Sequence, residues 1–143
     1  MIVYRELSSL EKDIGFSARS LYAASYHRNS HYRHTKIPKA NGEYRELCVP
    51  DEFLKSTQRS IASNLLAHEE ISPFATAYRI GGSTLLNARP HVGKPILLKL
   101  DIRHFFDNII YPQIKEKVFS SERYSEANRI LLTLLCMYRD ALP

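Results

Sequence analysis

The chain has 143 residues, the size of one ordinary domain, with 44% hydrophobic and 24% charged residues, a balance that supplies a core and excludes a disordered tail. Twenty Lys and Arg against 15 Asp and Glu leave it at +5 with histidine neutral. No apolar run approaches the roughly 20 residues that cross a bilayer, and the opening MIVYRELSSLEK lacks the apolar stretch of a secretion signal. The two cysteines, Cys48 and Cys136, lie far apart in apolar stretches, which excludes a disulfide scaffold and a cysteine-based zinc module. A globular chain of the cytoplasm is expected.

Leu7, Leu10 and Ile14 fall at helical spacing over Glu6 to Ile14, and Gly15 is a natural stop. Ser17 is placed to cap a second helix that runs through about Tyr26. The period then changes, and His31 to Pro38 and Glu43 to Val49 read as two strands joined at Asn41-Gly42, the strongest short-range hairpin signal. Pro50-Asp51 starts a long helix, capped by Asp51, with Leu54, Thr57, Ile61 and Leu65 on one face. Ile71 to Ala77 is a loop, and Gly81-Gly82-Ser83 a second break before a short helix from Thr84, interrupted at Pro90.

Pro95 introduces the near-continuous apolar run Ile96 to Ile102, which fits a strand buried on both faces. Tyr111-Pro112 opens another helix to about Phe119, with proline where a missing donor costs little. Ser125 caps the last helix, along which Ala127, Ile130, Leu131, Leu134, Leu135 and Tyr138 keep one-face spacing. That face needs something to pack against, and the ending at Pro143 reads as a cut. An unpaired strand edge beside an under-covered helix is an association hazard, so self-association through residues 96–102 or 127–138 is expected.

The charge is unevenly placed. Between His27 and Arg45 there are five Lys or Arg (Arg28, Arg33, Lys36, Lys39, Arg45) against Glu43 alone, with Tyr26, Tyr32 and Tyr44 interleaved. Cations that neutralise phosphates beside rings that stack on bases suit a nucleic acid, although an ordinary solvated strand face would read the same way. His27, His31 and His34 have no second cluster of ligands to close a metal site with them.

Asp101 ends the apolar run and precedes Phe105-Phe106 and Asp107-Asn108. A carboxylate there must reach solvent, a cation or a metal. Hard divalent ions want carboxylate oxygens on a rigid element, and two of them can clamp a phosphoryl transfer. By itself LDIRHFF also fits an aspartate that caps the next turn.

Four motifs in order are more specific. They are Ile37-Pro-Lys-Ala-Asn-Gly-Glu-Tyr-Arg45; Pro50, Leu54-Lys55, Gln58-Arg59 and Ile61; Ser72-Pro-Phe-Ala-Thr-Ala-Tyr-Arg79; and Leu98-Lys-Leu-Asp-Ile-Arg-His-Phe-Phe106. Together they resemble the N-terminal part of a bacterial reverse transcriptase. Asn87-Ala-Arg-Pro-His91 looks like the Asn-Ala-x-x-His element of the retron type. The resemblance implies an α+β fold: a helical segment over 1–30, fingers over 31–95, and the beginning of a palm over 96–143. It implies that Asp101 is the first catalytic aspartate, a Mg²⁺ ligand assisted by the carbonyl of Ile102. Phe106 would close on the sugar of the incoming deoxynucleotide, and Lys39 and Arg45 would contact its triphosphate. Lys36, Gln58, Arg59 and Arg79 are expected at the template. Asn87 and His91 remain family markers, for which hydrogen bonds that fix a loop are as good a role. Implied partners are an RNA template, a DNA or RNA primer, and deoxynucleoside triphosphates.

The family continues with a Gln-Gly segment and a Tyr-x-Asp-Asp hairpin carrying two further aspartates, and these 143 residues contain neither. The chain as written is therefore expected not to polymerise DNA. A non-catalytic nucleic-acid-binding remnant and a split subunit that docks on a partner chain remain open. So do group II intron-like, diversity-generating and phage-defence lineages.

Overall fold

The computed structural model describes residues 3–67 and 69–143. Their contacts divide into two units, one of residues 3–67 with 104–143 and one of residues 69–103.

In the first unit, α1 (Leu7–Ile14) ends at Gly15, whose φ of 81° is the left-handed conformation glycine adopts without strain. The next helix, α2 (Ala18–Tyr26), starts at Ser17, whose side chain accepts from the Ser20 N–H. Strands β1 (Tyr32–Pro38) and β2 (Tyr44–Pro50) form an antiparallel hairpin. Asn41-Gly42 lies in a three-residue loop from Ala40 to Gly42: the Gly42 N–H reaches the Lys39 carbonyl at 3.1 Å, and Lys39 N–H reaches Glu43 at 2.7 Å. Gly42, at φ 83°, supplies the left-handed residue that this longer turn requires.

Asp51 caps α3 (Glu52–Ser60), its carboxylate accepting from the Leu54 N–H at 2.9 Å. A π-helical turn, Ile61–Leu65, follows. Leu54, Thr57, Ile61 and Leu65 are all buried, as their spacing predicts. From the same helical stretch Ser60 Oγ donates to the Ile14 carbonyl at 2.6 Å and Asn64 Nδ2 to Asp13 at 2.7 Å. These bonds occupy carbonyls that the end of α1 leaves without helical partners.

Two more helices close this unit, α5 (Tyr111–Lys117) and α6 (Glu126–Cys136), the latter capped by Ser125. Leu10, Leu21, Leu54, Phe119, Leu131 and Leu135 meet in one core, and burying each leucine contributes about 1.5–3 kcal/mol. The inward face of α6 is rotated from the expected one. Asn128, Leu131, Leu132 and Leu135 are buried, whereas Ile130 is 38% exposed. Ile130, Leu131, Leu132, Leu134 and Leu135 span more than one face, and contacts with α2, α3 and α5 turn Asn128, Arg129 and Thr133 inward with Leu131, Leu132 and Leu135. The helix is thus well covered, contrary to the under-covered face expected from sequence.

The N-terminal segment is tied to this core. Tyr4 N–H donates to the Arg123 carbonyl at 2.7 Å, and the Tyr4 carbonyl accepts from Ser125 N–H at 3.0 Å. Its ring stacks on Tyr124 at 5.4 Å, and its hydroxyl donates to Asp13 at 2.6 Å. Burial, reinforced by that carboxylate, pushes the Tyr4 hydroxyl up to about 12.

In the second unit, Ser83 caps the short helix α4 (Thr84–Ala88), and a 3₁₀ turn, Arg89–His91, carries Pro90. Thr76 Oγ1 hydrogen-bonds Asn87 Oδ1 at 3.0 Å, holding the preceding loop on α4. Gly82 lies so close to the Thr76 carbonyl that a Cβ would collide with it.

The strand expected over Ile96 to Ile102 is not formed. These residues have no regular structure, and Ile96, Leu98 and Leu100 are 84%, 75% and 81% exposed. A strand buried on both faces needs neighbours on both edges to take its N–H and C=O groups. Among the described residues the ladder is β1–β2, and no segment pairs with residues 96–102. The mixed α+β class holds through the hairpin and helices.

Candidate functional site

The hairpin register sorts its side chains into two faces. Arg33 opposite Val49, Thr35 opposite Leu47 and Ile37 opposite Arg45 lie on one; Tyr32 opposite Pro50, His34 opposite Cys48, Lys36 opposite Glu46 and Pro38 opposite Tyr44 lie on the other. Two of the cations are engaged. Lys36 faces Glu46 at 3.5 Å, and Lys39 Nζ contacts Glu43 at 3.0 Å. Hydrogen bonds from Lys39 and Asn41 hold the Glu43 carboxyl below its usual range. Arg33 and Arg45 are exposed on their shared face and have no ion pair among the described residues. Arg33 contributes to the basic count read from the sequence, but only the strand register shows that it shares Arg45's face.

The base of the hairpin is anchored. His34 Nε2 pairs with Tyr138 Oη at 2.8 Å, Tyr32 packs on the Tyr138 ring at 5.0 Å, and Asn29 Oδ1 accepts from Arg139 N–H at 3.0 Å. Gln58 Nε2 donates to Tyr32 Oη at 2.8 Å and to the Leu135 carbonyl at 2.9 Å. Its amide therefore joins hairpin, α3 and α6. Arg59, one residue on, is exposed with no partner among the described residues.

Asp101 and Ile102 lie in the second unit, at the end of its exposed run of residues 96–102. The Asp101 carboxylate has no hydrogen bond or ion pair among the described residues. Arg79 is half-buried in the same unit. Asn87 is the loop-fixing residue described above, and the His91 side chain has no hydrogen bond among the described residues. Phe106 belongs to the first unit, 46% exposed and edge-on to Phe105 at 5.3 Å. Nearby, His104 Nδ1 contacts Asp107 at 2.9 Å.

Among the described residues, no group of three or more His, Cys, Asp or Glu side chains is placed to hold a metal ion. No described helix is long and apolar enough to cross a membrane. The sequence-derived site is thus an exposed basic hairpin in one unit and an exposed carboxylate in the other.

No family model matches the chain. Curated relatives do. It is 37% identical over 111 residues to the Retron Ec83 reverse transcriptase of Escherichia coli, covering 76% of this chain and 35% of that protein. It is 31% identical over 111 residues to the Retron Mx162 reverse transcriptase of Myxococcus xanthus, covering 75% and 23% respectively. The match to the Retron Ec86 reverse transcriptase of Escherichia coli is 29% over 143 residues, 99% of this chain and 44% of that protein. The chain spans less than half the length of each of these relatives. With the motif order from Ile37 to Phe106, these matches assign the chain to the family of retron-type reverse transcriptases.

Proposed function

We propose that these residues form the nucleotide- and template-holding part of a retron-type RNA-directed DNA polymerase, working in the cytoplasm. The observation that carries the reading is the anchored hairpin with its two unpaired arginines. Cations on both faces of the hairpin, with Tyr44 exposed on the face that carries Lys36, suit a partner rich in phosphates and bases. Lys39 and Arg45 contact the triphosphate, Phe106 packs against the sugar, and Lys36, Arg59 and Arg79 lie along the template. Gln58 assists by holding the hairpin base.

Asp101, with the Ile102 carbonyl, offers hard oxygen ligands of the kind Mg²⁺ takes. A single carboxylate does not fit a pair of ions, among the described residues no group of three or more His, Cys, Asp or Glu side chains is placed to hold a metal, and no catalytic step is assigned to these residues alone. Nucleotide transfer needs the further aspartates found elsewhere in the family, so these 143 residues bind without polymerising.

Photocrosslinking tests the reading. An azido-deoxynucleoside triphosphate, irradiated with the chain and mapped by mass spectrometry, should label peptides containing residues 36–45. Unlabelled triphosphate should compete it away. Labelling confined to other peptides, or insensitive to competitor, would overturn the assignment.

A further inference from the structure

The two cysteines are both half-buried but have different neighbours. Cys136 packs against the core, and burial pushes its thiol up to about 12. Cys48 is partly exposed and lies directly across the hairpin from His34. The register places both side chains on one face, with Cys48 Sγ 3.8 Å from His34 Nδ1. The other ring nitrogen, Nε2, is held by Tyr138 Oη at 2.8 Å, and the ring packs edge-on to Tyr138 at 5.4 Å. A thiol, a base within reach of it and a third group orienting the base constitute the arrangement that activates a cysteine. Other neighbours on this face are the Tyr32 hydroxyl, bound by Gln58, and the Lys36–Glu46 pair one step outward.

We propose that Cys48, served by His34 and positioned by Tyr138, is a site of reversible thiol modification by low-molecular-weight disulfides, and that its modification unlatches the hairpin base from Tyr138. The Cys48 S–H proton passes to His34 Nδ1, and the thiolate attacks one sulfur of the incoming disulfide. That S–S bond breaks as the Cys48 mixed disulfide forms, and the leaving thiolate takes the proton from His34. One disulfide replaces another, so no further oxidant is required. The adduct occupies the space through which His34 reaches both Cys48 and Tyr138, which is how a local modification acts on the hairpin.

The experiment uses glutathione disulfide at pH 7.5, acid quenching and mass spectrometry of both cysteines in the folded chain. Cys48 should react at least about tenfold faster than Cys136, and His34→Gln should remove most of that advantage. Tyr138→Phe, which keeps the ring, should slow Cys48 less than His34→Gln does. Equal rates at the two cysteines, or a Cys48 rate unchanged by His34→Gln, would overturn the site. Circular dichroism of each variant separates a chemical effect from unfolding, and Cys48→Ser isolates the Cys136 rate. For the latch, hydrogen exchange at residues 32–38 should quicken severalfold on modification; unchanged exchange would overturn that part.

Discussion

Replacing Arg129 with alanine should be among the most damaging single changes available in α6. Arg129 is only 6% exposed. Its Nε donates to the Phe119 carbonyl at 2.8 Å and its Nη2 to Lys115 at 3.4 Å, so the guanidinium occupies carbonyls at and beyond the end of α5. It also pairs with Glu116 and Glu126, each at 2.7 Å. Those carboxylates are 59% and 58% exposed and return to water once the arginine is gone. The ion pairs therefore contribute little to the difference. The larger loss lies in the buried carbonyls, at about 1–3 kcal/mol each when unsatisfied, with the better-aligned Phe119 bond at the upper end. Adding the packing of the stem gives about 3 kcal/mol. With a urea slope of about 1.5–2 kcal/mol/M, the unfolding midpoint should fall by about 1.5–2 M. Arg129→Lys keeps the charge but not the fork and should lose about half as much. The reasoning fails if Arg129→Ala costs less than about 1 kcal/mol, or if Glu126→Gln costs as much.

Incubated with template-primer, Mg²⁺ and four deoxynucleotides, the chain should give no extension above background; extension that disappears in Asp101→Ala would contradict this. At the hairpin base, burial alone would raise the Asp51 carboxyl, but hydrogen bonds from Leu54 N–H and His31 outweigh it and hold it below its usual range. Its contribution is therefore full above the unfolded value of about 3.9 and is lost as pH falls through the lower folded value. Asp51→Asn keeps a capping oxygen without the charge and should flatten urea stability between pH 5 and 3, whereas an unchanged pH profile would refute the linkage. Light scattering over a dilution series should show self-association that Leu98→Glu with Leu100→Glu reduces; a monomer at every concentration would contradict the hazard assigned to that exposed run.

Local signals were the most legible. Ser17, Asp51 and Ser125 cap the helices their spacing announces, because a side-chain oxygen on an N-terminal N–H is a short-range bond. The hairpin followed from Asn41-Gly42, although the turn takes one residue more than the shortest loop. What depends on distant partners was not legible. Ile96 to Ile102 has a strand's composition, yet composition supplies no neighbouring edge, and the run is exposed. The inward face of α6 differs from the apolar stripe because Asn128, Arg129 and Thr133 turn inward, Asn128 and Arg129 to partners from the tertiary fold and Thr133 to the Arg129 carbonyl. Arg129 looks like any surface arginine until α5 is folded beneath it. Of the site, the basic hairpin could be read from charge and pattern. The Cys48–His34 pair required the strand register, and Tyr138 required the tertiary fold.

The central claim is that the hairpin from Lys36 to Arg45 is the main electrostatic footprint for phosphates, those of an RNA strand as well as those of a nucleotide. It is tested most directly by the salt dependence of single-stranded RNA binding, followed by fluorescence anisotropy, for the parent chain and the Lys39→Ala, Arg45→Ala double variant. Binding should be weak and salt-dependent, and the slope of log affinity against log salt should fall by about 0.7 for each phosphate contact removed. The same affinity and slope in the double variant would contradict the account.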